Sequence, residues 1–580
     1  MKTLKKITYN LLATIALSIV MSACNDILDA PSISSMEEDI IFSDVKYAEQ
    51  IIPSIIQSFG EQNSYRARYL VYYGINTDCE VYCEMKKTTD AKSRYSNYNT
   101  VNNNTEMNTD NNAWAKFYEG IERANIAIRG LRTYGKVESN PQMAQILGEV
   151  ITLRAVLYWD LVKAWGDVPA RFEPITNETA YVPKSDRDVI YKQLLADLDE
   201  AAGLVAWPNE TATTTSTEHI NKAFVKGLRA RIALTAGGYS QRTDGLRLST
   251  DPELSRQKMY AIAKQECLDI IESHTCKLNP SFENVFKEEF CKEKYQAGGE
   301  ILWEIPFASG RGRVIFDLGV KHTTTDKYTG QAKGGTNGIN PAMYYEYDPT
   351  DVRRDVTCIP YEWQEGVQFP SAYDNTKYKT GKDDEWKWNF RLYIGKYRYE
   401  WLPRMVTLTN DDGLNWLYMR YADVLLMAAE AINELEGPGA AASYLQEVVE
   451  RAYPNNPDKA SAYLATATAN KETFFHAIVD QRALEFAGEM LRKADLIRWN
   501  LLGAKLHESQ DKLVALHDRT GDYANLPTTI YWNIKADKES IEIYGINHGE
   551  TDEIGATLGY EYNAKWKIAD DYSNGLSVRL

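Results

Sequence analysis

The sequence is poor in basic charge, in histidine and in cysteine. It carries 65 Lys plus Arg against 81 Asp plus Glu, a formal balance of −16 over 580 residues. A nucleic-acid grip needs a basic surface, so that class is disfavoured. Only seven histidines occur, scattered, and no CxxC pair exists among the seven cysteines, which excludes the usual zinc frameworks. The chain also lacks a GxSxG elbow, a Walker loop and an HExxH pair. The Gly-rich stretch Gly330 to Gly338 leads into no helix that could cradle phosphate. Paired carboxylates carry no information, because 81 acids offer countless pairs and a glycosidase needs a separation in space. Asp411-Asp412-Gly413 has the chemistry to touch a calcium ion, but the loop spacing of a calcium site is missing and the triplet reads as a turn.

What is present is ordinary for a folded chain, at 44% hydrophobic and 25% charged residues, with one bias: 38 Tyr against 13 Trp and 15 Phe. Tyrosine joins a flat apolar face to a hydroxyl, which suits wet binding surfaces. The length is compatible with several domains or with one large one.

The N-terminus has an address. Lys2, Lys5 and Lys6 precede an uncharged apolar run from Leu11 to Met21. That run is well short of the roughly 20 residues that span a bilayer as a helix, so it reads as an export signal. Met21-Ser22-Ala23-Cys24 has the form of a bacterial lipobox, which makes Cys24 the expected lipidation site and residues 24–45 a tether. Acyl chains there, each methylene adding about 0.8 kcal/mol, would anchor the protein at a membrane without spanning it. Six cysteines remain: Cys79, Cys83, Cys267, Cys276, Cys291 and Cys358. An exported chain permits disulfides among them, Cys79 and Cys83 being the closest pair; six separate buried thiols fit equally well.

Helical periodicity covers Trp114 to Leu131, Gln142 to Trp165, Val189 to Leu204, Asn221 to Ala236, Gln257 to Ser273, Leu414 to Leu435 and Thr473 to Leu501. Short turns between neighbours predict antiparallel pairs, although no clean 34-residue period is visible. Residues 277–413 differ. Their glycines, aromatics and short runs such as Ile301 to Ile305 predict long irregular loops with β-hairpins, and a segment of that length is usually functional.

Four ordered motifs resemble one family. Leu153-Arg154-Ala155, Tyr158-Trp159 and Trp165-Gly166-Asp167-Val168-Pro169 are similar to its "RA..YF.L...GDVP" segment. Trp114, Tyr118, Ile121, Ala124 and Asn125 resemble "W...Y..I..AN", and Arg420 to Leu426 with Ala429-Glu430-Ala431 resembles "RYADVLL..AEA". Arg482, Glu485, Glu489, Arg492, Asp495 and Arg498-Trp499 resemble "ER..EL.FEG.R..DL.RW", with Gln481, Gly488 and Met490 departing from it. This is the SusD/RagB family of Bacteroidetes outer-membrane lipoproteins, and the acids Asp26 and Asp29 after Cys24 resemble its surface-sorting signal. The charge pairs Arg420/Asp423 and Glu489/Arg492, three residues apart, are expected to meet on helical faces and to be structural.

The resemblance implies a mainly α, SusD-like fold: four tetratricopeptide-type helix-turn-helix units with long irregular loops and short β-hairpins, as a single domain over 46–580. Within it, 46–276 would be an N-terminal helical half, 277–413 a loop-rich ligand region, 414–505 the C-terminal helices and 506–580 a tail. It implies a cell-surface glycan-binding protein without enzymatic chemistry or cofactor, delivering its ligand to a TonB-dependent SusC-like transporter. A peptide-binding relative and a surface glycoside hydrolase are the alternatives. Two stretches are the expected ligand sources: one holding Asp78, Tyr82, Arg94, Tyr95, Tyr98 and Asn99, the other Trp363, Trp386, Trp388 and Tyr393. Sugars dock C–H faces on such rings while their hydroxyls find polar side chains.

Overall fold

The computed structural model describes residues 37–83, 91–307, 310–371, 388–407 and 412–568. The export signal, Cys24, most of the tether, Trp386 and Asp411 lie outside the described residues.

The helices that build the scaffold are α1 (Ile51–Gly60), a short α2 (Ala91–Ser96), α3 (Ala113–Tyr134), α4 (Pro141–Trp165), α5 (Arg187–Leu204), α6 (Lys222–Ala236) and α7 (Arg256–Ser273). After the loop-rich region come α8 (Tyr421–Glu436), α9 (Pro438–Ala452), α10 (Pro457–Ala467), α11 (Lys471–Phe486), α12 (Arg492–Arg498) and α13 (Leu502–Asp518). Asparagines set several starts. Asn112 accepts the Ala115 N–H, Asn140 accepts Gln142 and Met143 ahead of Pro141, and Asn221 accepts Phe224. From α3 to α9 each helix packs on the next, and this continues from α7 to α8 although the whole 277–413 region intervenes in sequence. Helix α4 lies at the centre, buried on every side between Gln145 and Val162.

The strands are β1 (Glu80–Tyr82), β2 (Ile301–Ile305), β3 (Asn337–Ile339), β4 (Cys358–Ile359), β5 (Tyr361–Gln364), β6 (Val367–Pro370), β7 (Trp388–Asn389), β8 (Leu392–Ile394), β9 (Trp416–Arg420), β10 (Thr529–Ile534), β11 (Ile541–Tyr544) and β12 (Tyr562–Lys567). They form a sheet of order β1-β3-β8-β4, a second of order β11-β10-β12-β7, the pair β9-β2 and the hairpin β5-β6.

Two expected helices differ from the structure. The pattern from Leu414 splits into strand β9, whose Trp416 pairs with Ile305, and a helix that begins only at Tyr421. Here a pairing partner 111 residues away overrode the local period. The long run from Thr473 breaks after Phe486, where Gly488 adopts φ +88° and Met490 φ +60° before α12 starts. A Cβ on Gly488 would sit 2.5 Å from the Ile394 side chain, so the bend needs glycine there.

The six cysteines among the described residues are buried thiols with no disulfide among them. The expected charge pairs are also exchanged. Arg420 bonds to Glu300 (2.7 Å), Glu485 (2.5 Å) and Glu489 (2.8 Å), and not to Asp423. Asp423 takes Arg231 (2.5 Å) and Arg482 (2.6 Å). Glu489 takes Lys396 (2.6 Å) as well as Arg420, and Arg492 reaches Asp78 (2.6 Å). The reason is position: Arg420 ends a strand and Arg492 opens a new helix, so no helical turn holds either pair together. Burial works against the charge of Asp423, yet Arg482 and Arg231 hold its carboxyl well below the usual range. Arg451 and Arg353 add to Glu485, giving a buried cluster that joins the loop-rich region to α9 and α11.

Glu304 on β2 is buried without a cation, accepting Thr217 Oγ1 (2.8 Å) and Asn415 Nδ2 (3.2 Å). Burial pushes its carboxyl up to about 8. An acid raised on folding keeps its proton in the native state. Its contribution is therefore intact below the unfolded value, near 4.5, and stability falls as pH climbs from there towards 8. Glu304→Gln is expected to raise the thermal midpoint at pH 8 and leave it nearly unchanged at pH 4.5, in circular-dichroism melts. Each pH unit of rise corresponds to about 1.4 kcal/mol, which makes the gain at pH 8 a few kcal/mol. A parallel shift at both pH values would contradict the assignment.

Candidate ligand surface

One residue of each candidate stretch, Tyr82 on β1 and Tyr393 on β8, lies on the same sheet, whereas Trp363 stands on the β5-β6 hairpin and Trp388 on the second sheet. Strand β3 pairs on one side with β1 and on the other with β8, so Val81, Gly338 and Tyr393 share a row. A Cβ on Gly338 would lie 2.3 Å from the Leu392 carbonyl oxygen and 2.7 Å from Cys83 Sγ, so only glycine lets the flanking elements close in. Arg391 also donates to the Cys83 carbonyl (3.0 Å), tying the second stretch to the first.

Within the first stretch the residues part company. Asp78 is committed to Arg492 through two hydrogen bonds (2.9 and 2.6 Å). Tyr82 is buried, edge-on to Tyr72 (5.9 Å), and Tyr95 leans on the same ring (6.4 Å). Tyr95, Tyr98 and Tyr73 are partly exposed residues whose hydroxyls lie in buried surroundings, and one face of Tyr73 is stacked on Tyr69 (5.2 Å, 3° between planes). Tyr98 adopts φ +63°, a strained conformation for a bulky side chain. Its hydroxyl donates to the Asn76 carbonyl (2.8 Å), which secures the ring. Behind it stands Lys493, only 5% exposed, with Nζ 4.4 Å from the Tyr98 centroid and 5.3 Å from that of Tyr73. Burial pulls its ammonium down to about 7, with only Glu80 opposing. Asn99 is exposed beside Tyr98, and Arg94 lies partly exposed on α2.

The second stretch is mostly interior. Trp363 is 3% exposed and stacked on His322 (5.6 Å, 14° between planes), whose Nδ1 is 2.6 Å from Asp326 Oδ2. Tyr393 is fully buried and donates to Glu362 (2.7 Å). Neither ring face is open to a sugar, which corrects their expected role as platforms: β5 and β8 turn them into the small cluster around Val320 and Ile359. Trp388 stands on β7, paired with Trp566 of β12. The partly exposed rings on this side are Tyr328, under Lys327 (5.0 Å), and Tyr361, whose hydroxyl accepts from Arg398 (3.1 Å).

Tyr73, Lys493 and Tyr328 were not anticipated. Tyr73 closes the tyrosine-rich run 65–73, and Lys493 follows a motif arginine; nothing local marks either as part of a surface. Asp412 accepts the Leu414 N–H (3.1 Å), a local turn at that triplet, and its other oxygen accepts the distant N–H groups of Ile315 and Phe316 (3.0 and 3.2 Å). Among the described residues no group of His, Cys, Asp and Glu could hold a metal ion, and no helix is long and apolar enough to cross a membrane. Cavities among the described residues that are large enough for a small ligand include two against the scaffold helices. One, about 700 Å³, lies between α1 and the start of α4 over Ile52, Ile56 and Phe307; the other, about 570 Å³, is walled by α10, α11 and α13 beside Asp78 and Arg492.

This helical stack with a sheet-bearing insertion has known counterparts. The family model described as "SusD family" matches residues 285–574, and one described as "Starch-binding associating with outer membrane" matches residues 27–234. The chain belongs to the SusD/RagB family. Its relatives include SusD-like protein P38 of Formosa agariphila, 22% identical over 89% of this chain and 96% of that protein. SusD-like protein P25 of the same organism is 24% identical over 67% of this chain and 70% of its own length. Among solved structures, a SusD homolog from Bacteroides thetaiotaomicron superposes with a TM-score of 0.71, at 20% identity, over 84% of this chain and 92% of that one. Surface glycan-binding protein A from Bacteroides thetaiotaomicron, in complex with laminarihexaose, gives 0.57 at 20% identity over 79% and 90%. The mainly α architecture expected from the motifs is thus the fold of this family.

Proposed function

We propose that the chain is a lipid-anchored, cell-surface glycan-binding protein that captures an oligo- or polysaccharide and passes it to a SusC-like TonB-dependent transporter. The observation that carries the reading is the group of partly exposed Tyr73, Tyr95 and Tyr98, in which the Asn76 carbonyl pins Tyr98 and Lys493 lies against the rings of Tyr98 and Tyr73. Partly exposed tyrosines beside an exposed Asn99 suit the alternating apolar faces and hydroxyls of a sugar. A structural relative is described with laminarihexaose bound, and one matching family model carries a starch-binding, outer-membrane description, which supports the same assignment. Capture and release need no bond to break, and no residue of the surface is arranged as a nucleophile with a base.

Affinity electrophoresis and calorimetry of the purified chain against a panel of α- and β-glucans, mannans, xylans and host glycans tests this. Retardation by at least one polysaccharide, without release of reducing sugar, is the expected result. Reducing-sugar release, or retardation by none, would overturn it.

A further inference from the structure

We propose that the polysaccharide captured at Tyr73, Tyr95 and Tyr98 is acidic, carrying carboxylate or sulfate groups that meet Lys493 and Lys92. This names the ligand class for the surface proposed above and rests on that reading. A chain of net charge −16 has no general attraction for a polyanion, so an acidic ligand needs cations gathered at the site itself.

The described residues place them there. Lys493 is 5% exposed, and its Nζ rests against the rings of Tyr98 (4.4 Å) and Tyr73 (5.3 Å), with no hydrogen bond and no ion pair among the described residues. Glu80, the acid facing it, has its oxygens engaged by Thr77 Oγ1 (2.5 Å) and the Gly488 N–H (2.9 Å). Asp78 belongs to Arg492 (2.6 Å). Lys163 also faces Tyr73 (5.8 Å), but Asp160 holds it (2.5 Å). Lys92 lies over Tyr72 (5.5 Å), the ring on which Tyr95 leans, and it too has no ion pair among the described residues. A nearly buried ammonium without a counter-ion has lost hydration and gained no partner, so an anion carried by the ligand is the group that completes it. The hydroxyls of a neutral sugar supply no such charge.

Calorimetry of the purified chain with polygalacturonate and κ-carrageenan, each beside its methyl-esterified or desulfated counterpart, provides the test. The two arms tell carboxylate from sulfate. Burial draws the Lys493 ammonium down to about 7, so the titrations are run at pH 6, where it carries its charge. At least one acidic polymer is expected to bind tenfold or more tightly than its neutral counterpart. A chain with Lys92→Met and Lys493→Met together is expected to lose most of that ratio, and a melting midpoint no lower than that of the wild type verifies its fold. If a neutral polysaccharide of the panel above binds at least as tightly as both acids, the acidic assignment falls and the surface reading stands. An acid preference that the double variant keeps in full would overturn it as well. Binding of no polysaccharide, neutral or acidic, would remove both proposals.

Discussion

An Arg420→Met chain is expected to lose about 3–5 kcal/mol of stability, the range for breaking a buried ion pair from one side. Arg420 is 1% exposed and spans three carboxylates, Glu300, Glu485 and Glu489. Removing it leaves Glu485 with Arg451 and Arg353, and Glu489 with Lys396; with Asp351, which also pairs with Arg353, four carboxylates then face three cations. Arg420→Lys is expected to recover only part of the loss, because an ammonium cannot fork between partners as a planar guanidinium does. Chemical denaturation followed by tryptophan fluorescence measures both. A midpoint for Arg420→Met equal to wild type would show that the cluster contributes nothing net.

Tyr98→Ala is expected to weaken capture of whichever polysaccharide the panel identifies by at least tenfold, about 1.4 kcal/mol, with Tyr95→Ala lying between it and wild type. Tyr98 is the ring secured by a backbone hydrogen bond and a cation behind, whereas Tyr95 has only the ring contact with Tyr72. Lys493→Met separates the cation from the ring. If the ammonium polarises Tyr98, affinity falls modestly while the fold is retained. Trp386→Ala with Trp388→Ala is the control for the second stretch. Full retention by Tyr98→Ala, with loss in the tryptophan variant, would move the ligand surface to the second stretch.

The scaffold was legible because its signals are local. Asn112, Asn140 and Asn221 announce helix starts, and the apolar periods that follow run to within a few residues of the observed ends. The errors share a cause. Strand β9 continues a helical period into a pairing with β2, and the Arg420, Asp423, Glu489 and Arg492 pairs look complete at three-residue spacing yet choose partners from other elements. Aromatic content picked out both stretches but could not sort faces. Tyr393 and Trp363 are as tyrosine- and tryptophan-like in sequence as Tyr98, and only the strand register decides which ring turns inward.

The bond from Asp78 to Arg492 closes a span of 414 residues, and that from Glu80 to the Gly488 N–H one of 408. Contacts that distant form late, because the intervening chain must first be gathered. The early helices have neighbours available while the rest of the polypeptide is still being delivered, but the floor beneath Tyr98 waits for α12. A chain interrupted before that point would own most of its scaffold and lack the proposed ligand surface, so on that reading capture would report that α12 has docked.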